Sequence, residues 1–429
     1  MSLLNFMLIT ALALGFGWAI RGHFGHEWGA SWAGAMGALA LLLAAKRKDW
    51  MRRTPVLAAL GGIGWAVGGM MSYGIVVGYC HGNDYLNVAY GYTMLAVIGG
   101  LYGFLGGGLF GLGLESQEHK KPNWPLLLTQ MIAGAWLVWG FIIYQLEWFM
   151  TPPRSELWAA CAGAALALTW YLYREGYVGA LRVAGYSALG AGFGFSFGNF
   201  LQILGMASGV SYNWWNVMEF TLGFCGGLGM AYAVATYKWP ASIQPSKFAN
   251  WLALIFLLFA IPLTNYIDAF KIDEFRNMAE NLNISNSLQF AQIQFLFAGM
   301  ILLFFLFLGI LTWLRYQRDE TKLMNRTVPV LFFGYSIYYT LFGFIKKGFF
   351  YRTLSIKYSD ALYIPILVIV FILWILNYRK DTEFPIGTSA QESWKRWVII
   401  IVSLLIIVFF ITALSIYINQ DVIHVQERF

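Results

Sequence analysis

The chain has 429 residues, of which 59% are hydrophobic and 11% charged, against roughly 25% charged in ordinary water-soluble domains; a soluble globule is excluded. The 28 Lys and Arg outnumber the 21 Asp and Glu, for a formal charge of +7, but they are scattered over short connections between apolar stretches, and no nucleic-acid partner is expected. Cys80, Cys161 and Cys225 lie far apart without a C-x-x-C pair, which indicates neither a disulfide framework nor a thiolate metal site.

In chain order, hydropathy predicts thirteen helices, near 3–21, 27–45, 55–80, 87–114, 124–146, 157–173, 178–205, 214–237, 249–266, 288–315, 327–345, 361–378 and 394–418. A run of roughly 18 apolar residues or more crosses the hydrocarbon as a helix, so the expected fold is all-α and polytopic. The opening MSLLNFMLIT has no basic leader and no small-residue cleavage site and reads as the first span. One set of alternate connections holds 19 of the 28 basic residues. The other nine are Arg21, Arg154, Lys271, Arg276, Lys346, Lys347, Arg352, Lys357 and Arg428. Because Lys and Arg resist translocation, the expectation is a multi-pass protein of the plasma (inner) membrane with a cytoplasmic N-terminus and an outer C-terminus.

Glycine divides the chain: 40 of 46 precede residue 241. In lipid, Gly lets helix backbones approach closely. A tight bundle is therefore expected over 1–240, and a looser Phe-, Leu- and Ile-rich one over 241–429. Within the first part GFGWAIRG (15–22), GIGWAVGG (62–69) and GFGFSFGN (192–199) correspond, with AGAWLVWG (133–140) a weaker fourth. A second string opens the return helix: EWGASWAGAMGALA (27–40), ELWAACAGAALALT (156–169) and EFTLGFCGGLGMAY (219–232), with YTMLAVIGGLYGFL (92–105) divergent. The prediction is four tandem, parallel helical hairpins.

This alignment sets Glu27, Tyr92, Glu156 and Glu219 at one position, the glutamates roughly 28 Å from the inner end of their helices at 1.5 Å per residue, in an outer vestibule. A glutamate in a first helical turn also has a plain reason to be there, the helix dipole. Arg21 aligns with Gly68 and Gly198. A cation where sister repeats carry glycine costs about 2.5–3.5 kcal/mol to insert, so it should pair with Glu27 or Glu219 or receive an anionic ligand. Asn199 would add an amide contact. His23 and His26, beside Glu27 in RGHFGHE (21–27), suit proton carriage better than metal binding. Lys346, Lys347, Arg352 and Lys357 in KKGFFYRTLSIKY form either an interfacial patch touching lipid phosphates or an outer funnel that collects an anion. Acidic loop 267–287 reads as a solvated amphipathic helix.

The expected function is a proton- or cation-coupled secondary transporter for a small organic anion such as an acidic sugar derivative. Its partners would be that solute and membrane lipid, with no cofactor and no metal. No Walker A string or soluble nucleotide-binding domain is present. The alternative is a membrane-embedded glycosyl- or acyltransferase using a lipid-linked donor at the outer face. Span count and Glu27 in the first outer connection resemble the multispanning polyprenyl-phosphate glycosyltransferases. Those enzymes, however, extend their first outer loop over many residues, whereas here it has about five.

Overall fold

The computed structural model describes residues 1–318, 320–346, 362–378, 384, 387, 394–420 and 427–428. Regular structure among them is entirely helical. Short polar side chains start many of the helices by accepting from the third residue on. Ser2 accepts from Asn5 N before α1 (Leu3–Arg21), and Asp84 accepts from Asn87 N before α6 (Tyr85–Glu115). Asn213 does the same for α10 (Trp214–Ala235).

Nine helices among the described residues are long and apolar enough to cross a bilayer. The sequence stretches near 55–80, 157–173, 178–205 and 361–378 are helical too, but fall short of that combined length and apolarity. The chain is thus compatible with a multi-pass membrane protein. One expected helix is broken: 55–80 forms α4 (Thr54–Gly69) and a short α5 (Gly74–Tyr79), with non-helical backbone over Met71–Tyr73 between them. Tyr102 fixes the break by donating its hydroxyl hydrogen to the Met71 carbonyl at 3.2 Å.

Six helices close into a ring. α1 packs on α2 (Glu27–Ala45), α2 on α4 past the single-turn α3 (Lys48–Met51) that joins them, α4 on α6, α6 on α9 (Val178–Ala207), α9 on α10, and α10 back on α1. Glycine makes every one of these contacts close. A Cβ at Gly64 would lie 2.5 Å from Leu105 O, at Gly103 2.2 Å from Ser187 O, at Gly190 2.1 Å from Cys225 O, and at Gly223 2.6 Å from Leu14 O. Gly17 against Ala33 and Gly34 against Gly61 complete the circuit. At these distances no side chain fits, so backbone meets backbone and dispersion contact is maximal. Among the described glycines after residue 241, Gly299, Gly309, Gly334 and Gly343 have no neighbour closer than 3.3 Å to such a Cβ.

The remaining helices surround this ring. α7 (Trp124–Trp139), prolonged by a π-helical turn over Gly140–Gln145, pairs with α8 (Leu157–Arg174), and that hairpin leans on α6 and α9 from outside. The segment after the ring runs through α11 (Lys247–Ile255), α12 (Ile261–Ala269), α13 (Ile272–Asn281), α14 (Ser287–Tyr316) and α15 (Thr321–Lys346). Amphipathic α13 buries Phe275 and Ala279 and starts with Asp273 and Glu274, as expected for the acidic loop. α12 and α15 pack on α2, α16 (Tyr363–Tyr378) packs on α1, and α17 (Trp394–Ile418) packs on α6 and α9.

Candidate functional site

Inside the ring, Trp18 of α1, Trp65 of α4 and Tyr102 of α6 are fully buried and meet edge-on or tilted at centroid separations of 5.4 and 5.0 Å, with Phe195 of α9 6.2 Å from Tyr102. This plug closes the middle of the ring. The indole N–H groups of Trp18 and Trp65 find no acceptor among the described residues, although buried donors of this kind are normally paired.

Above the plug lies a cavity of about 500 Å³, reached from the end of the ring where α1 stops and α2 and α10 start. Arg21, the last residue of α1, lies in its floor and is 1% exposed. Its guanidinium carbon stands 4.2 Å from the Trp18 ring centroid, a cation–π contact that gives part of the charge a partner where water is scarce. Its Nη2 donates to the Tyr73 hydroxyl at 2.7 Å and reaches Glu219 Oε1 at 3.4 Å. The Tyr73 hydroxyl in turn donates to the same Glu219 oxygen at 2.7 Å. Glu219 and Tyr73 are 2% and 4% exposed. Arg21 Nε has no hydrogen-bond partner among the described residues.

Each of these groups has a local structural origin. Arg21 ends a helix whose next residue, Gly22, leaves room for the carboxylate: a Cβ there would stand 3.1 Å from Glu219 Oε2. Gly25, at φ +82°, lets the short connection turn back into α2, a backbone region that glycine enters without steric cost. Tyr73 reaches the cavity because α4 ends at Gly69 instead of continuing. Glu219 projects from α10 onto α1 because Gly223 brings those two backbones together.

The cavity wall holds Ser72, His26, Trp215 and a second arginine, Arg154. Trp215 stacks on Tyr73 at 5.9 Å and 26° and stays 37% exposed, so its ring is available to a ligand. Arg154 sits in the connection between α7 and α8. Glu156 holds that connection by accepting from Met150 N, Thr151 N and Trp158 Nε1, each at 2.8 Å. Two guanidinium groups thus face the cavity against one carboxylate. Partial desolvation, followed by the charges of Arg21 and Arg154, holds the His26 imidazole below its usual pKa against the opposing pull of Glu27.

Arg21, His26 and Glu219 meet in the cavity. Glu27 is exposed at the start of α2 and is not part of the lining; the carboxylate on Arg21 comes from Glu219. His23 turns toward α15, where it lies beside Gly343. Asn199 is fully buried but faces the Cys80 thiol and does not line the cavity. Lys346 binds Glu274 and the Ala269 carbonyl, tying α15 to α12 and α13. Lys347, Arg352 and Lys357 lie outside the described residues. No group of three His, Cys, Asp or Glu among the described residues is placed to hold a metal.

Tyr73, Ser72 and Arg154 enter the site without a prior assignment. The pointer to the first two was a polar pair, Ser72-Tyr73, set between Gly69 and Gly74 inside an otherwise apolar stretch. Arg154 stood out only as one of nine basic residues on the sparse side. Comparison with known protein families, with curated proteins and with solved structures finds no match for this chain.

Proposed function

We propose that the chain is an integral-membrane secondary carrier for a small organic anion, such as an acidic sugar derivative, coupled to protons. The observation that carries this reading is the buried Arg21, held by Tyr73 and Glu219 in the floor of a cavity that adds a second arginine. A guanidinium fork is suited to a carboxylate or phosphate. Here a resident carboxylate occupies it, so a substrate anion must compete with Glu219. Protonation of Glu219 weakens its hold on Arg21 and lets the substrate take that place, which moves one anion together with one proton. Exposed Trp215 offers a flat apolar face to a sugar ring. The Trp18 and Trp65 indole N–H groups, buried without acceptors, give an anion moving inward its next hydrogen-bond donors.

In this reading the chain spans thirteen times, with the N-terminus cytoplasmic and the C-terminus outside. The first eight spans derive from four hairpin repeats, three of them closed into the ring. The three corresponding glycine-rich strings support this, since they lie on α1, α4 and α9, alternate helices of the ring. The plug beneath the cavity fits one state of an alternating-access cycle, and the discontinuity between α4 and α5 fits the broken helices on which such carriers build their sites.

The test is uptake into proteoliposomes with and without an imposed pH gradient. Arg21→Ala should abolish transport. Glu219→Gln should retain solute exchange but lose gradient-driven accumulation, whereas Glu27→Gln should behave nearly as wild type. Accumulation indifferent to the Arg21 and Glu219 substitutions sinks the proposal.

A further inference from the structure

A second cavity, of about 230 Å³, lies at the opposite end of the molecule, where α11 and α14 pass the connection between α2 and α4. Arg52 and Lys247 stand exposed at its mouth, and no carboxylate among the described residues forms an ion pair with either. Its wall holds Trp251 and Trp313, whose rings meet at 6.1 Å and 56°. The Trp313 indole N–H is buried with no acceptor among the described residues. Asn250 gives its amide N–H to the Arg52 carbonyl at 2.9 Å, which leaves its Oδ1 buried without a donor among the described residues. One cavity therefore presents two free cations, an unused N–H and an unused acceptor. Nothing in the ring or in the first cavity calls for this arrangement.

The outer side of the same region is apolar. Phe248 and Leu252 of α11 and Leu314 of α14 are 70%, 46% and 50% exposed. In a chain whose helices are this apolar, such side chains face hydrocarbon, and paired tryptophans belong at the boundary with the headgroups. A ligand here needs a negative group, a hydroxyl to donate and an apolar tail.

We infer that this cavity binds the headgroup of an anionic glycerophospholipid that carries free hydroxyls, as phosphatidylglycerol does. The phosphate oxygens accept from the Trp313 N–H and lie between Arg52 and Lys247. A headgroup hydroxyl donates to Asn250 Oδ1, and the acyl chains leave along Phe248 and Leu252. A choline headgroup is rejected on two counts: its quaternary nitrogen has no hydrogen to give Asn250, and it brings positive charge toward two cations.

Native mass spectrometry of the purified full-length protein, offered equal amounts of phosphatidylglycerol and phosphatidylcholine, tests this. Wild type should retain phosphatidylglycerol preferentially. Arg52→Gln and Lys247→Gln, both at exposed positions, should each lower that retention about fivefold, the worth of one cation near an anionic lipid. Trp313→Phe keeps the ring but loses the donor, and should lower it about two- to tenfold with phosphatidylcholine retention unchanged. Equal retention of the two lipids, or variants that retain phosphatidylglycerol as wild type does, overturns the inference. Full displacement of the lipid by millimolar inorganic phosphate also overturns it, because the site would then take the free ion.

Discussion

The Tyr73 hydroxyl donates to Glu219 Oε1 at 2.7 Å, closer than the 3.4 Å at which Arg21 meets the same oxygen. The phenol, bonded to both charges, carries the coupling between them more than direct contact does. Tyr73→Phe keeps the ring on Trp215 and Phe195 but removes that link, leaving the carboxylate one donor short in a buried site. The expected cost is about 1–3 kcal/mol of stability, read as a lowered melting temperature in detergent micelles. A melting temperature equal to wild type would show that the bridge contributes nothing.

Arg21 and Glu219 should be non-additive. Removing either partner of a buried ion pair leaves an uncompensated charge, at about 3–5 kcal/mol. Arg21→Met or Glu219→Leu should each destabilise on that scale, while the double variant should cost clearly less than the sum of the two. A double-mutant cycle in a graded denaturing detergent measures this. Strict additivity would mean that the two side chains do not interact.

His26 gives the cavity a pH dependence of definite sign. Its pKa is lowered by burial and by Arg21 and Arg154, so the folded protein resists a proton that the unfolded chain accepts. The stability this group contributes is therefore complete above about pH 6.5 and falls away as pH drops from there toward the lowered value. His26→Gln should flatten that acid-side loss in a series of melting temperatures between about pH 5 and pH 8. Arg154→Gln, by lifting one of the causes, should reduce the loss without abolishing it.

The two ways of using glycine predict opposite responses to one methyl group. Gly190→Ala would place a Cβ 2.1 Å from the Cys225 carbonyl oxygen and must push α9 from α10, at about 1–3 kcal/mol or more. Gly334→Ala in α15 meets nothing within 4 Å and should be neutral or stabilising by about 0.4–1 kcal/mol. Paired melting curves decide it, and a harmless Gly190→Ala would contradict the close approach of α9 and α10.

Much of the architecture was legible because apolar length and glycine content act locally. Arg21 and Glu219 also stood out locally, Arg21 as a charge where sister hairpins carry glycine and Glu219 as one of three glutamates that open return helices. Three features were not legible, each set by contacts distant in sequence. The break at Met71–Tyr73 depends on a hydroxyl from Tyr102, on a different helix. Lys346 read as part of an interfacial patch or a cationic funnel because its partner Glu274 is 72 residues away. Hairpin strings show which helices are related but not which ones touch. Nothing local marks α7 and α8 as lying outside the ring, although the weaker string on α7 is also the one whose Trp136 and Leu137 are 71% and 73% exposed.

The circular order of the six helices has a consequence for biogenesis. The junction that shuts the ring joins its first helix to its last, so Arg21 leaves the ribosome 198 residues before Glu219. Throughout that interval the cation sits at the end of an apolar helix without its carboxylate, and the part of the cavity wall that Trp215 and Glu219 supply is not yet made. Shortened chains ending before α10 should therefore be the species that membrane quality control removes, and ring closure is the event that completes the cavity around Arg21.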